Sequence, residues 1–172
     1  PLWSRGLGDV YKRQVNTAVG FQACLEISSG HSNCAFGYNA LRSQTTANAN
    51  SAFGYMAGYS NSSGTLNTFI GYYAGMANTE GQKNTFLGYD AGKAVTTGDG
   101  NVFVGAEAGV SVTTTDDNVG IGRVAMHLTT TGEHNVVVGP VALYKNTTGD
   151  KNVAIGYSCL LYTSDAADDL LC

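Results

Sequence analysis

Apolar and polar residues recur along this chain in one pattern of 17 positions, which runs from residue 15 to residue 158 without an insertion. Each unit starts with Asn, has a bulky apolar residue at the fourth position and Gly at the fifth, and every complete unit has Ala at the eighth. The first six positions, as in Asn67-Thr-Phe-Ile-Gly-Tyr72, are rich in strand formers and too short for a helix. The Ser/Thr-rich second half usually ends in Gly and predicts an extended stretch followed by a turn.

Two positions hold the same residue in all nine units. Asn is expected to bond side chain to side chain between neighbouring units, or to bond its own turn. Gly is expected to supply a positive φ or a close backbone approach at a corner. These residues are Asn16, Asn33, Asn50, Asn67, Asn84, Asn101, Asn118, Asn135 and Asn152, and Gly20, Gly37, Gly54, Gly71, Gly88, Gly105, Gly122, Gly139 and Gly156.

A fixed period of this length predicts a stacked architecture. Helical repeats need about 30 residues or more per unit, whereas one coil of a β-solenoid fits 17. We therefore predict an all-β fold, a β-solenoid of about eight and a half coils stacked at the strand-pairing distance of about 4.7 Å. Position four should form a continuous apolar spine. Because one coil buries few apolar side chains, a long stack or an association of several chains must complete the core.

The two ends of the sequence lack the repeat. DNA that encodes Asp9–Gln14 has a reverse complement that, read in another frame, encodes Cys159–Ser164. One inverted DNA element at both edges explains this relation, and both segments resemble translated sequencing adapters. We interpret residues 1–14 and 159–172 as adapter-derived and residues 15–158 as the repeat domain.

Charge and hydropathy restrict the classes of partner that this chain can be expected to bind. The net charge of −4 argues against nucleic acid. No apolar run approaches the ~18 residues of a membrane span, so we expect no membrane contact by this segment. Variable positions of the coil are the ones free to recognise a partner.

Candidate chemistry is sparse. Gly120-Ile-Gly122-Arg-Val-Ala125 matches a dinucleotide-binding fingerprint, but its Gly122 and Ala125 are positions of the repeat itself. No nucleophile–base arrangement is evident, so we predict no enzyme activity, no cofactor and no metal site. The remaining titratable residues are interpreted as structural or solvated: His31, His127 and His134, the carboxylates Asp99, Asp116, Glu133 and Asp150 of one column, and two free thiols, Cys24 and Cys34.

Two columns of the repeat could bind a ligand. Tyr38, Tyr55, Tyr72 and Tyr89 at position six should form an aromatic ladder that would stack on sugar rings if exposed. Packing against the fold or a second chain is the favoured interpretation. Position thirteen is Ser or Thr in every complete unit, as in ice-binding solenoids, but only Thr129-Thr130-Thr131 completes a two-column face. Turn hydrogen bonds are the alternative role for these hydroxyls.

The segments Asn67-Thr-Phe-Ile-Gly-Tyr-Tyr-Ala-Gly75 and Asn152-Val-Ala-Ile-Gly-Tyr-Ser158 resemble the repeats of trimeric autotransporter adhesin heads and of bacteriophage tail fibres. The resemblance covers residues 15–158. It implies a homotrimeric, extracellular rod on a virion or bacterial surface that presents a surface to a host receptor or glycan. The function expected from it is structural attachment, and ice binding is the alternative.

Overall fold

A computed structural model describes residues 15–161, and this range forms one all-β solenoid of about 8 turns with 17-residue spacing. The predicted fold class is therefore confirmed. Residues 1–14 and 162–172 lie outside the described residues, so the adapter interpretation remains a prediction there. The strands, each three residues long, are β1 Thr17–Val19, β2 Cys34–Phe36, β3 Ser51–Phe53, β4 Thr68–Ile70, β5 Thr85–Leu87, β6 Val102–Val104, β7 Val119–Ile121, β8 Val136–Val138 and β9 Val153–Ile155.

The strands form a single parallel sheet whose spatial order is the chain order, β1 to β9. Each residue pairs with the residue 17 positions later, for example Phe69 with Phe86 in β4 and β5. Equivalent positions of successive units therefore lie above one another, and we call each such set a column. We number the coils from their Asn residues, so that coil 1 starts at Asn16, coil 5 at Asn84 and coil 9 at Asn152.

The central residue of each strand from β2 onward, at position three, is buried, whereas the residue at position four lies on the outer surface. Phe69 is fully buried, whereas its neighbour Ile70 is 37% exposed. The apolar spine predicted at position four is continuous, but it does not form the core of the chain. The physical reason is the two-residue period of a strand, which places adjacent side chains on opposite faces.

The core is filled from position three in some coils and from position nine, on the opposite wall, in others. In coils 4 to 6, position three is Phe69, Phe86 or Phe103 and position nine is Gly. A Cβ added at Gly92 would lie 2.6–2.7 Å from ring atoms of Phe86, so the ring occupies the space that a side chain at position nine would need. In coils 2, 7 and 8, position three is small or medium-sized and position nine is a buried Leu or Met. Close packing requires this exchange of volume between the two positions.

The Asn column joins the coils, as expected. The Asn84 side-chain Oδ1 accepts the backbone N–H of Asn101 in the next coil at 2.9 Å, while its Nδ2 donates to the Gly98 carbonyl of its own coil at 2.7 Å. The Asn101 Nδ2 also donates to Asn84 Oδ1 at 3.2 Å, so the amides bond side chain to side chain between coils as well as to their own turn, and both parts of the prediction hold. Buried polar groups in this column are thereby satisfied.

The Gly column at position five also meets both expectations. Gly88 has φ 140°, and a Cβ added there would lie 2.7 Å from the carbonyl carbon of Gly105 in the next coil. The backbones of successive coils approach too closely at this corner for any side chain.

Candidate functional site

The surface feature that sequence reasoning singled out, the position-six column, lies beside the outward position-four column. Together they form what we call the apolar strip, which follows the rod from coil 1 to coil 9. Its exposed members are Val19, Phe21, Tyr38, Phe53, Tyr55, Ile70, Tyr72, Leu87, Tyr89, Ile121, Val138, Ile155 and Tyr157. At ~200 Å² per Tyr side chain, the four predicted tyrosines alone expose about 350 Å². The whole strip exceeds the roughly 300–600 Å² of the largest apolar patch on a typical monomer.

The tyrosines stack on one another. The ring centroids of Tyr38 and Tyr55 are 5.0 Å apart with 5° between the ring planes, and those of Tyr55 and Tyr72 are 5.0 Å apart with 10°. The Tyr72–Tyr89 pair is 5.7 Å apart with 16° between planes. Ring faces inside the ladder therefore cover each other and ring edges point away from the stack. The predicted ladder exists, and its interior offers no free ring face to a sugar.

A further aromatic ring, Tyr73, lies against the ladder from position seven. Its centroid is 4.2 Å from that of Tyr72, with 54° between the ring planes. A hydrogen bond with Tyr73 raises the pKa of Tyr72 to about 12. The Lys93 ammonium lies 4.9 Å from the Tyr73 ring centroid and 2.9 Å from Asp90 Oδ2.

The ladder stops at Tyr89, because position six is Ala106 in coil 6, Arg123 in coil 7 and Pro140 in coil 8. Tyr89 is 51% exposed, against 39% for Tyr55 inside the ladder. Ring stacking covers only the side of Tyr89 that faces Tyr72. Sequence reasoning named the tyrosines but missed this end, although the change from aromatic to small residue at position six was the available signal.

The hydroxyl column at position thirteen is used within the chain. Thr96 Oγ1 donates to the carbonyl oxygen of Thr113 at 3.2 Å, and Thr113 Oγ1 donates to that of Thr130 at 3.2 Å. The same bond to the following coil recurs from Ser28 to Thr130. These hydroxyl protons hold neighbouring coils together and are not free for an ice surface.

The aspartates of the carboxylate column each bond their coil to the preceding one at the turn. Asp99 Oδ1 accepts the backbone N–H of Gln82 at 2.6 Å, Asp116 Oδ1 that of Asp99 at 2.8 Å, and Asp150 Oδ1 that of Glu133 at 2.8 Å. Within residues 15–161 there is no group of three or more His, Cys, Asp or Glu residues that could hold a metal ion.

Variable positions bring together side chains that sequence reasoning did not pair. Arg42 Nη1 lies 3.0 Å from Glu26 Oε1 and 3.2 Å from the Tyr59 hydroxyl. His127 stacks on Tyr144 at 4.9 Å and approaches the Glu107 carboxylate to 3.6 Å. His31 and His134 are exposed, as expected, whereas His127 is half-buried. These contacts join adjacent coils along the side of the rod.

The two cysteines of the repeat are free thiols, as predicted. Cys24 is buried and Cys34 is half-buried. Burial, with a smaller contribution from Cys34, raises the pKa of the Cys24 thiol to about 11. The thiol form therefore predominates at neutral pH, which disfavours reaction at Cys24.

The dinucleotide fingerprint falls on strand β7 and the turn that follows it, and no helix succeeds it. The motif therefore lacks the strand–helix setting that phosphate binding requires. In the part of the chain that is described, no helix has the length and apolar character needed to span a membrane.

Comparisons of this chain with protein-family models, with curated proteins and with solved structures give no match.

Proposed function

We propose that this chain is a non-enzymatic attachment rod, part of a phage tail fibre or bacterial surface adhesin, which assembles as a homotrimer outside the cell. The observation that carries the proposal is the apolar strip. Water-exposed apolar surface of this extent, arranged in straight columns, is typical of a surface that another chain covers.

Geometry favours copies of the same chain as the covering partner. The strip repeats with the strand spacing of about 4.8 Å, so a second rod with the same spacing can match it coil by coil. The resemblance of the repeats to trimeric adhesin heads and tail fibres supports three chains around a common axis. The aliphatic members at position four, such as Ile70 and Leu87, would form the contact between chains.

A rod needs stiffness to hold a receptor-binding surface away from its base. Strand pairing and the Asn column bond each coil in the described range to the next, and the hydroxyl column bonds coils 1 to 8 in the same way. Such redundancy suits a rigid spacer, and the variable side positions would then face the receptor or glycan.

Sedimentation equilibrium of the chain tests the proposal. We expect a mass of three times the 17.9 kDa chain. Leu87→Lys, in the strip, should dissociate the trimer because it buries an unpaired charge between chains. Thr97→Lys, on an exposed position of the same coil outside the strip, is the matched control and should leave the mass unchanged. A monomeric wild-type chain, or equal effects of the two variants, would overturn the trimer.

A further inference from the structure

The end of the tyrosine ladder differs from its interior in one respect that bears on binding. Between Tyr89 and Arg123, the residue at position six is Ala106, which fills almost none of the space that a ladder ring takes. We call this place the notch, defined by Tyr89 as one wall, Ala106 as the floor and Arg123 as the opposite wall.

The dimensions of the notch follow from the stacking of the coils. Two coil spacings of about 4.8 Å separate the backbones at Tyr89 and Arg123, giving about 9.6 Å. Two aromatic stacking separations of ~4.5–5 Å occupy the same length. Rings within the ladder are 5.0–5.7 Å apart, so one six-membered ring fits where the next rung would lie.

The walls offer two different contacts. The face of Tyr89 toward coil 6 is not covered by a ladder ring, and it can stack on the C–H face of a sugar or on another flat ring. The Arg123 side chain is exposed and makes no hydrogen bond or ion pair with any residue in the described range. A free guanidinium binds a carboxylate through two parallel hydrogen bonds.

No carboxylate in the described range forms an ion pair with Arg123. The Asp90 carboxylate is bonded to Lys93 at 2.9 Å. The Glu107 carboxylate approaches His127 Nδ1 to 3.6 Å without a hydrogen bond between them. The ligand that fits is a ring with one apolar face and a carboxylate.

We propose that the notch binds the terminal uronic acid residue of an acidic glycan. Its pyranose ring would stack on Tyr89 above Ala106, and its carboxylate would accept hydrogen bonds from Arg123. The proposal rests on the proposed attachment function, for which it names the class of receptor, and it requires that neighbouring chains contact position four and leave the position-six column open at coils 5 to 7. A single notch one ring wide favours the end of a glycan chain over its interior.

The test is an NMR titration of the intact chain with methyl β-D-glucuronide and with methyl β-D-glucoside, which carries a hydroxymethyl group in place of the carboxylate. We expect the glucuronide to bind at least ten times more tightly. Ala106→Tyr, which extends the ladder and fills the notch, should weaken binding of both sugars at least tenfold without unfolding the chain.

Arg123→Ala should reduce the affinity for the glucuronide to that for the glucoside. Lys151→Ala, which removes an exposed positive charge from another column, is the matched control and should change neither affinity. Equal binding of the two sugars, binding that survives Ala106→Tyr, or equal losses in Arg123→Ala and Lys151→Ala would each overturn the proposal, as would no binding at all.

Sedimentation of the same samples separates this proposal from the trimer. A wild-type chain that sediments as a trimer but binds neither sugar tells against the notch alone, whereas a wild-type monomer that binds the glucuronide tells against the trimer alone. If Ala106→Tyr and Arg123→Ala alter the mass and leave sugar affinity unchanged, a neighbouring copy fills the notch and the glycan proposal is wrong.

Discussion

The middle coils and the outer coils of this solenoid share a backbone but fill it from opposite walls. In coils 4 to 6, a Phe at position three crosses the interior and position nine is Gly. In coils 2, 7 and 8, position nine carries a fully buried Leu41, Met126 or Leu143 and position three is Ala, Gly or Val. The comparison teaches that the interior must be filled to close packing, whereas the position that supplies the large side chain is free to differ between coils.

Coil 3 lies at the boundary between the two arrangements and shows how they join. Both its positions are small, Ala52 and Gly58. A Cβ added at Gly58 would lie 2.8 Å from Leu41 Cδ2 of the preceding coil and also against the Phe69 ring of the following coil. Side chains from both neighbours therefore fill this coil, and packing is shared between coils.

Exchanging the two arrangements in one coil is the strongest test of the comparison. Phe86→Ala should lower the free energy of unfolding by about 3–5 kcal/mol, because Gly92 cannot fill the cavity. Gly92→Leu should destabilise the chain through a clash with the Phe86 ring. The double variant should recover most of the loss, less about 1 kcal/mol for a non-Gly residue at the φ of 56° found at Gly92.

Urea unfolding at one fixed protein concentration measures this cycle. The matched control combines Phe86→Ala with Gly109→Leu, which places the new side chain in the next coil against Phe103. Equal stabilities of the two double variants would mean that volume is not exchanged within a coil, and the comparison would be wrong.

The Asn column is common to both regions, so its energy should depend on burial rather than on the core arrangement. Asn84→Ala leaves the Asn101 N–H and the Gly98 carbonyl without their partners in a buried site, and should cost about 2–4 kcal/mol. Asn16 makes equivalent bonds but is half-buried, so Asn16→Ala should cost about 1 kcal/mol less. Urea unfolding of the two variants checks this, and a larger loss at Asn16 would contradict it.

The hydroxyl column should respond in the same way with smaller effects. Thr113→Val removes the bond to the Thr130 carbonyl and should lower stability by about 0.5–1.5 kcal/mol. Ser28→Ala, at an exposed site in the first coil, should fall below that range. If the hydroxyl column is structural, the Thr113→Val variant should show the same thermal hysteresis as the wild-type chain. A loss of ice binding in this variant would instead favour the ice-binding alternative.

The coil, its period and its strand positions could be predicted from the sequence because stacking forces equivalent residues into one environment. Whether the side chain at position four faces the core or the solvent could not be predicted. Ile70 and Phe69 are both apolar, and alternation alone does not say which of them faces inward. The exchange between Phe86 and Gly92 was equally hidden, because it depends on two positions that are close only across the interior. Tyr89 and Arg123 could be read from the sequence. The space between them could be recognised only after the structure showed that the position-six rings stack.

The smallest expected effect concerns Cys24, the least bulky of the position-nine side chains in the outer coils. Its folded pKa of about 11 lies above the usual thiol value, so the folded state retains the proton to higher pH than the unfolded state does. The stabilising contribution of the buried thiol is complete below about pH 9 and is lost as the pH rises toward 11. Cys24→Ala should therefore flatten the fall in stability across this window. At pH 8, iodoacetamide labelling followed by peptide mapping should modify Cys34 well before Cys24. Faster labelling of Cys24 would show that the outer coils open locally more readily than their packing indicates. Packing from position nine would then be weaker than packing from position three.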